Sequence, residues 1–399
     1  MSIASPMYAP PIRRRVDAVT QDYELIDAAT ERFEAGDFLD AVHKVFAHVM
    51  PGVAIDLAAA PATFVQGSSR VTARIDDGIF TLSCPLVRLP AGGGAVAALR
   101  YVLSRINGSG QLFQARLRGD DLFLEMKEKI SALHPQKLLE VVRRMPSVAD
   151  QHDDWMVTQF GAIELDRAPI EPVSDAELAA AWELWQTHWR DAEELLKEAQ
   201  RKRSTWFLNE ATSFVLTRIR FALPLCGGVL PRLLESGRTF NDSDVDPMKR
   251  ETSLAKCIKE MKAVTREELG KSLGHAVYAL SPMAEGTPQK LSGFFGPGSY
   301  METIDKYRAG GQVVDAALAL AGTCYYLLAH HSWPLEVEEA IQAGLAEASG
   351  KPWRDAANSL FAHARTLVEQ FGGDDEEGDE DDDEDDGEEG SDDEEGSDE

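Results

Sequence analysis

The chain has 399 residues, 44% of them hydrophobic, and a formal net charge of −28 at pH 7, which is long and apolar enough for two ordinary folded cores. The last 26 residues, Asp374 to Glu399, hold −20 of that charge and no basic residue, so the remainder carries −8; a mildly acidic body disfavours direct nucleic-acid binding, which rests on Lys and Arg neutralising phosphates. Cys84, Cys226, Cys257 and Cys324 stand far apart with no CxxC, a pattern of reduced core residues rather than of a secreted disulfide framework.

Residues 1–15, with Pro6, Pro10, Pro11 and the run Arg13-Arg14-Arg15, read as a flexible start. They lack the apolar stretch of a signal peptide. No segment approaches the roughly 20 apolar residues that span a bilayer, so a cytoplasmic protein is expected.

Residues 16–165 read as an α+β domain. Val16, Val19, Tyr23, Ile26 and Phe33 recur at helical spacing, Gly36 interrupts, and Phe38, Val42, Val45, Phe46 and Val49 resume it up to Pro51-Gly52. An edge strand fits Thr63 to Gln66. The period then becomes two: Val71, Ala73 and Ile75 alternate with Arg70, Thr72 and Arg74, and beyond Asp77-Gly78 come Phe80, Leu82, Cys84 and Leu86. Asp-Gly supplies the positive backbone dihedrals of a type I′ turn, so this predicts a β-hairpin. Gly92-Gly93-Gly94 opens a helix with Val96, Leu99, Val102, Leu103 and Ile106, closed by Asn107-Gly108. In a second hairpin Phe113, Ala115 and Leu117 face Leu122, Leu124 and Met126 across Gly119-Asp120-Asp121, and Pro135 starts a helix with Leu138, Leu139, Val142 and Met145.

From about Pro169 the β signals vanish, and residues 174–371 read as an all-helical domain. Ser174 with Glu177 forms a capping box. Behind it Leu178, Trp182, Trp185, Trp189, Ala192, Leu196 and Ala199 make a seam at alternating spacings of four and three, read as core packing. Further helices are expected over Trp206 to Ala222, Val229 to Glu235, Thr252 to Lys262, Arg266 to Ala279, Val313 to His330, Leu335 to Ala348 and Trp353 to Gln370, with Gly and Pro between them. Residues 372–399 form an acidic tail with nothing to bury, expected to be disordered. Its central run, Asp381, Asp382, Asp383, Glu384, Asp385 and Asp386, is the expected binding element.

The chemistry-bearing residues do not assemble into a catalytic or metal motif. His43 and His48 are five apart, too far around a helix to share a metal, and His330-His331 has no HExxH context. Asp242, Asp244 and Asp246 mimic the start of a calcium loop, but Pro247 replaces its Gly and Ser253 its bidentate Glu. Gly92 to Gly94 and Gly293, Gly296 and Gly298 fit no phosphate fingerprint. No GxSxG occurs. Arg201-Lys202-Arg203 ends the first long helix, where it fits either an acidic partner or a solvated end. No catalytic residue, metal ligand or cofactor is therefore assigned, and a non-enzymatic protein is expected. Two alternatives stand beside it: a small-molecule or enzyme site between helices near His275, His330 and Glu285, and a scaffold that binds basic proteins through its tail.

The order of elements from about Tyr23 to Leu165, an amphipathic helix, the Asp77-Gly78 hairpin, the helix Ala95 to Ile106, the Gly119-Asp120 hairpin and the helix from Pro135, resembles the type III secretion chaperone-like fold, which includes the YbjN-like bacterial proteins. That resemblance implies a chaperone or adaptor that dimerises with itself and binds extended peptide segments of other proteins, here joined to roughly 200 helical residues and an acidic tail.

Overall fold

A computed structural model describes residues 7–17, 22–51, 53, 55–107, 112–241 and 245–373. Val19, Gly52, Gly108, Asp242, Asp244 and the whole tail from Asp374, including Asp381, Asp382, Asp383, Glu384, Asp385 and Asp386, lie outside the described residues. The chain is mixed, with an antiparallel sheet in the N-terminal half and helices after it.

In the N-terminal half, α1 (Glu24–Glu34) and α2 (Phe38–Val49) meet at Gly36, whose φ of +84° suits a residue without a Cβ. Strands β1 (Ala62–Gly67), β2 (Ser69–Asp76) and β3 (Ile79–Arg88) form an antiparallel meander. Between Asp76 and Ile79 the turn residues Asp77 and Gly78 take φ of 50° and 72°, the left-handed pair that a type I′ turn needs. Helix α3 (Gly93–Arg105) follows, then β4 (Gln114–Arg118) and β5 (Asp121–Lys129), joined through Gly119 at φ 64°. Helix α4 (Pro135–Phe160) begins on proline and ends at Gly161 in a left-handed C-cap.

Register explains this core. Ala73 lies beside Leu82 and Leu82 beside Met126, while Cys84 lies beside Leu124, all buried on one face. Helices α2 and α4 cover that face, with the Phe46 ring 6.2 Å from that of Phe80. Each such large apolar side chain contributes roughly 1.5–3 kcal/mol by leaving water. Short β6 (Ile163–Glu164) pairs with the end of β3.

The second half runs β7 (Glu171–Pro172), α5 (Asp175–Lys202), α6 (Thr205–Ala222), α7 (Val229–Asn241), α8 (Pro247–Ala263) and α9 (Arg266–Lys271). It continues through β8 (Gly274–His275), β9 (Val277–Tyr278), β10 (Ala284–Glu285), α10 (Pro288–Phe295) and α11 (Met301–Ala309). It closes with α12 (Val313–His330), β11 (His331–Ser332), α13 (Leu335–Ala348) and α14 (Trp353–Phe371). The Ser174–Glu177 capping box is present, and Trp185 and Trp189 are buried, with Trp185 Nε1 donating to the Met261 carbonyl at 3.0 Å. The tryptophan seam is core.

Four expectations change. Residues 7–15 are not a loose start but lie along the helical half, where Ile12 N donates to the Ala222 carbonyl at 2.7 Å and Tyr8 OH to Gln342 at 2.8 Å. Strands do not end at Leu165; β7 to β11 follow, each of two residues, too short to show alternation. The helix expected to Ala279 stops at Lys271, and the chain beyond it is extended, with Gly274 and His275 pairing against Pro172 and Glu171. Among the described residues one helix, α12, is apolar and long enough to cross a membrane, and 72% of it is buried inside the fold as the central core helix.

Candidate functional site

The two halves are stitched along the edge of the sheet. Strand β9 adds to β1 with Gln66 opposite Tyr278 and Gly67 opposite Val277. Just beyond, the Gln66 side chain clasps the Leu280 backbone: Nε2 donates to the carbonyl at 3.2 Å and Oε1 accepts from the N–H at 3.0 Å. That clasp delivers the Leu280 side chain into the core of the N-terminal half, where it is buried. Beside this seam opens a cleft of about 370 Å³.

Four arginines line it, and two of them are already paired. Arg14 makes a bidentate pair with Glu171 at 2.7 and 2.6 Å, and Arg15 reaches Glu338 at 3.0 Å and the Trp333 carbonyl at 2.6 Å. The other two face the cleft without a carboxylate at salt-bridge distance among the described residues. Arg13 donates to the Leu328 carbonyl at 2.8 Å and lies over the Phe221 ring. Arg220, in the last turn of α6, donates to His330 Nε2 at 3.2 Å. A guanidinium can only donate, so that imidazole accepts through Nε2 and is neutral; burial first, then the Arg220 charge, hold its pKa down at about 4. Burial lowers the pKa of both arginines, and at Arg13 the charge of Glu338 opposes this while that of Arg220 adds to it. Arg218, two residues earlier on the same helix, shows the satisfied alternative: 2% exposed, it meets Asp191 at 3.3 Å and the Met7 carbonyl at 2.6 Å.

The facing wall carries Gln66, Asp150 and Tyr278. Asp150 belongs to a buried carboxyl cluster built on the β1–β2 turn. Ser68 N and Oγ lie 2.6 and 2.8 Å from Asp150 Oδ1, and the same Oγ lies 2.5 Å from Asp153 Oδ2. A hydroxyl has one proton to give, so two such contacts require a second proton on a carboxyl. Burial, followed by the charge of Asp154, raises the pKa of Asp153, and burial raises that of Asp150. Arg167 pairs with Asp154 at 2.6 Å and comes within 3.9 Å of Asp153.

His275 lines the cleft, its Nε2 3.5 Å from Glu177 Oε1. His330 stands behind Arg220, whereas Glu285 pairs in β10 with Ser332 and is not part of the lining, so these three do not form one site. His43 and His48 part company: His43 Nε2 accepts from Leu57 N, and His48 bridges the Asp22 carbonyl and Arg143. Arg201 and Lys202 are held by Glu198 and Asp315. Burial raises all four thiol pKa values, that of Cys84 to about 12 and that of Cys257 to about 11, which keeps the sulfurs protonated. Among the described residues no group of three or more His, Cys, Asp or Glu is placed to hold a metal ion.

What the sequence reading missed is the pairing of the Arg13 to Arg15 run with Arg220. Its visible signal was the run itself, three fixed positive charges beside Pro10-Pro11 in an otherwise acidic body. No protein-family model matches this chain, and no curated protein matches it.

Proposed function

We propose that this is a binding protein of chaperone or adaptor character that holds an extended, acidic segment of a partner protein in the arginine-lined cleft. The observation that carries this reading is the pair Arg13 and Arg220, withdrawn from bulk water, facing a cavity, and lacking a carboxylate partner among the described residues. Two half-buried like charges side by side are costly, and an incoming carboxylate relieves that cost while accepting paired N–H donors from a planar guanidinium. The resemblance of the N-terminal half to the type III secretion chaperone-like, YbjN-like proteins, which bind extended peptides, supports the same reading.

A second reading, a small anionic molecule, is favoured by the cleft's volume of about 370 Å³, inside the usual range of ligand pockets, about 300–1,000 Å³. One experiment separates the readings: thermal unfolding of the full chain with deca-glutamate, deca-lysine or inorganic phosphate. Deca-glutamate at about 100 times its Kd is expected to stabilise the fold by about 2.7 kcal/mol, and the double variant Arg13→Gln/Arg220→Gln should not respond. Stabilisation by phosphate alone selects the small anion. No stabilisation by deca-glutamate or phosphate, with deca-lysine captured by the full chain but not by the chain ending at Gly373, overturns the cleft reading in favour of a tail that binds basic proteins.

A further inference from the structure

The cleft lies within reach of the polyanion carried by the same chain. Gly373, the last described residue, is held at the start of α10: Ser292 Oγ donates to its carbonyl at 2.9 Å, and a Cβ on it would lie 3.2 Å from Pro288 Cβ. Met283, five residues before Pro288, lines the cleft, and five extended residues span at most about 18 Å. Asp381 comes eight residues after Gly373, a reach of about 28 Å. The acidic run Asp381 to Asp386 can therefore reach the Met283 side of the cleft.

We propose that this run occupies the arginine cleft of its own molecule when no partner is bound, so that a partner's acidic segment must displace it. This rests on the cleft reading above and adds its regulation. Charge selects the occupant: the last 26 residues carry 20 carboxylates and no cation, and Arg13 and Arg220 have no carboxylate at salt-bridge distance among the described residues. Tethering supplies the rest. A short linker holds its ligand at an effective concentration of order 1 mM, so a tail with an intrinsic Kd of about 0.1 mM weakens a competitor about tenfold. Both the docking and the competition are ionic, and both weaken with salt.

The test compares the full chain, the chain ending at Gly373, and the full chain with Arg220→Gln. In the full chain at about 50 mM salt, the NMR amide signals of Gly378 and Gly387 should be broadened and shifted from those of a synthetic peptide of residues 374–399, and should return to the peptide positions at about 500 mM salt. Arg220→Gln, or Arg13→Gln as a second variant, should release them at low salt, while Arg220→Lys, which keeps the charge, should retain most of the shift. The chain ending at Gly373 should bind fluorescein-labelled deca-glutamate about tenfold more tightly than the full chain. General repulsion between tail and probe would also weaken probe binding, but it would not make the glycine signals depend on Arg220. Glycine signals that match the free peptide in wild type and variant alike overturn the proposal. If the shortened chain then still binds deca-glutamate in an Arg220-dependent way, the cleft reading survives alone; if it does not bind, both fall.

Discussion

In the N-terminal half, β2 and β5 bury alternate positions against two helices and meet solvent or ion pairs such as Arg88 with Asp121 at the others, while the central β3 between them buries Thr81 and Val87 as well. In the C-terminal half, α12 is buried on nearly every side, from Ala316 through Leu320 and again from Leu327 to Ala329. A sheet built this way ends in an edge, and the edge at β1 is completed by two residues of the other half. A bundle wrapped around a buried helix has no such edge, but it has helix ends, and Arg220 sits at one of them. The cleft forms where an unfinished sheet edge meets a helix end, and the N-terminal arm crosses that meeting point with three arginines. The two arginines without a carboxylate at salt-bridge distance among the described residues, Arg13 and Arg220, lie at the seam.

The largest effect is expected where one half supplies a side chain to the other. Leu280→Ala changes a residue of the helical half, yet its side chain is 5% exposed within the sheet half's core. The expected loss is about 2–5 kcal/mol, and hydrogen exchange should show it as lowered protection of β1 and β2 amides. Lowered protection confined to α6 and α12 would mean that the seam does not couple the halves.

Gly78→Val tests the sheet half alone, with a smaller effect. Nothing lies within 4 Å of a Cβ built at Gly78, so crowding costs nothing and the penalty is backbone strain at φ +72°. About 1–2 kcal/mol is expected for a β-branched residue held in the left-handed region, read as a lowered urea midpoint with an unchanged m-value. An unchanged midpoint would show that this turn is not held in the type I′ geometry.

The hairpins were legible because their signals are local: Asp77-Gly78 fixes a turn, and strands of eight and ten residues give alternation room to show. Helix α5 was legible for the same reason, with its capping box and tryptophan seam within 28 residues. The cleft was not, since Arg13, Asp150, Arg220 and Tyr278 come from an extended arm, a helix interior, a helix end and a two-residue strand. Each is unremarked in its own surroundings, and only tertiary packing joins them. Helices α10 and α11, of eight and nine residues among glycines and prolines, fell below the length at which periodicity separates helix from loop.

The smallest effect concerns pH, where the halves should differ in sign. In the sheet half, Asp153 has its carboxyl pKa raised by burial from 3.8 to about 8. The folded state then holds a proton that the unfolded state has released, so this contribution is fully present below about pH 4 and is lost as pH rises through about 8. In the helical half, His330 and His331 have theirs lowered from 6.5 to about 4, chiefly by burial. There the unfolded state holds the extra proton, so that contribution is present above pH 6.5 and is lost as pH falls through about 4. Between pH 6.5 and 8 the histidines still add stability as pH rises, by an amount that fades above 6.5 because an unfolded imidazole is half protonated at its own pKa, while the Asp153 contribution falls by no more than about 1.4 kcal/mol per pH unit. Asp153→Asn keeps a donor toward Ser68 Oγ, as the protonated carboxyl does, but cannot ionise. Urea unfolding at pH 6.5, 7 and 8 should therefore give a stability difference, wild type minus variant, that declines as pH rises. A constant difference would place the titrating proton on Asp150 or another group and leave Asp153 without a part in the pH response.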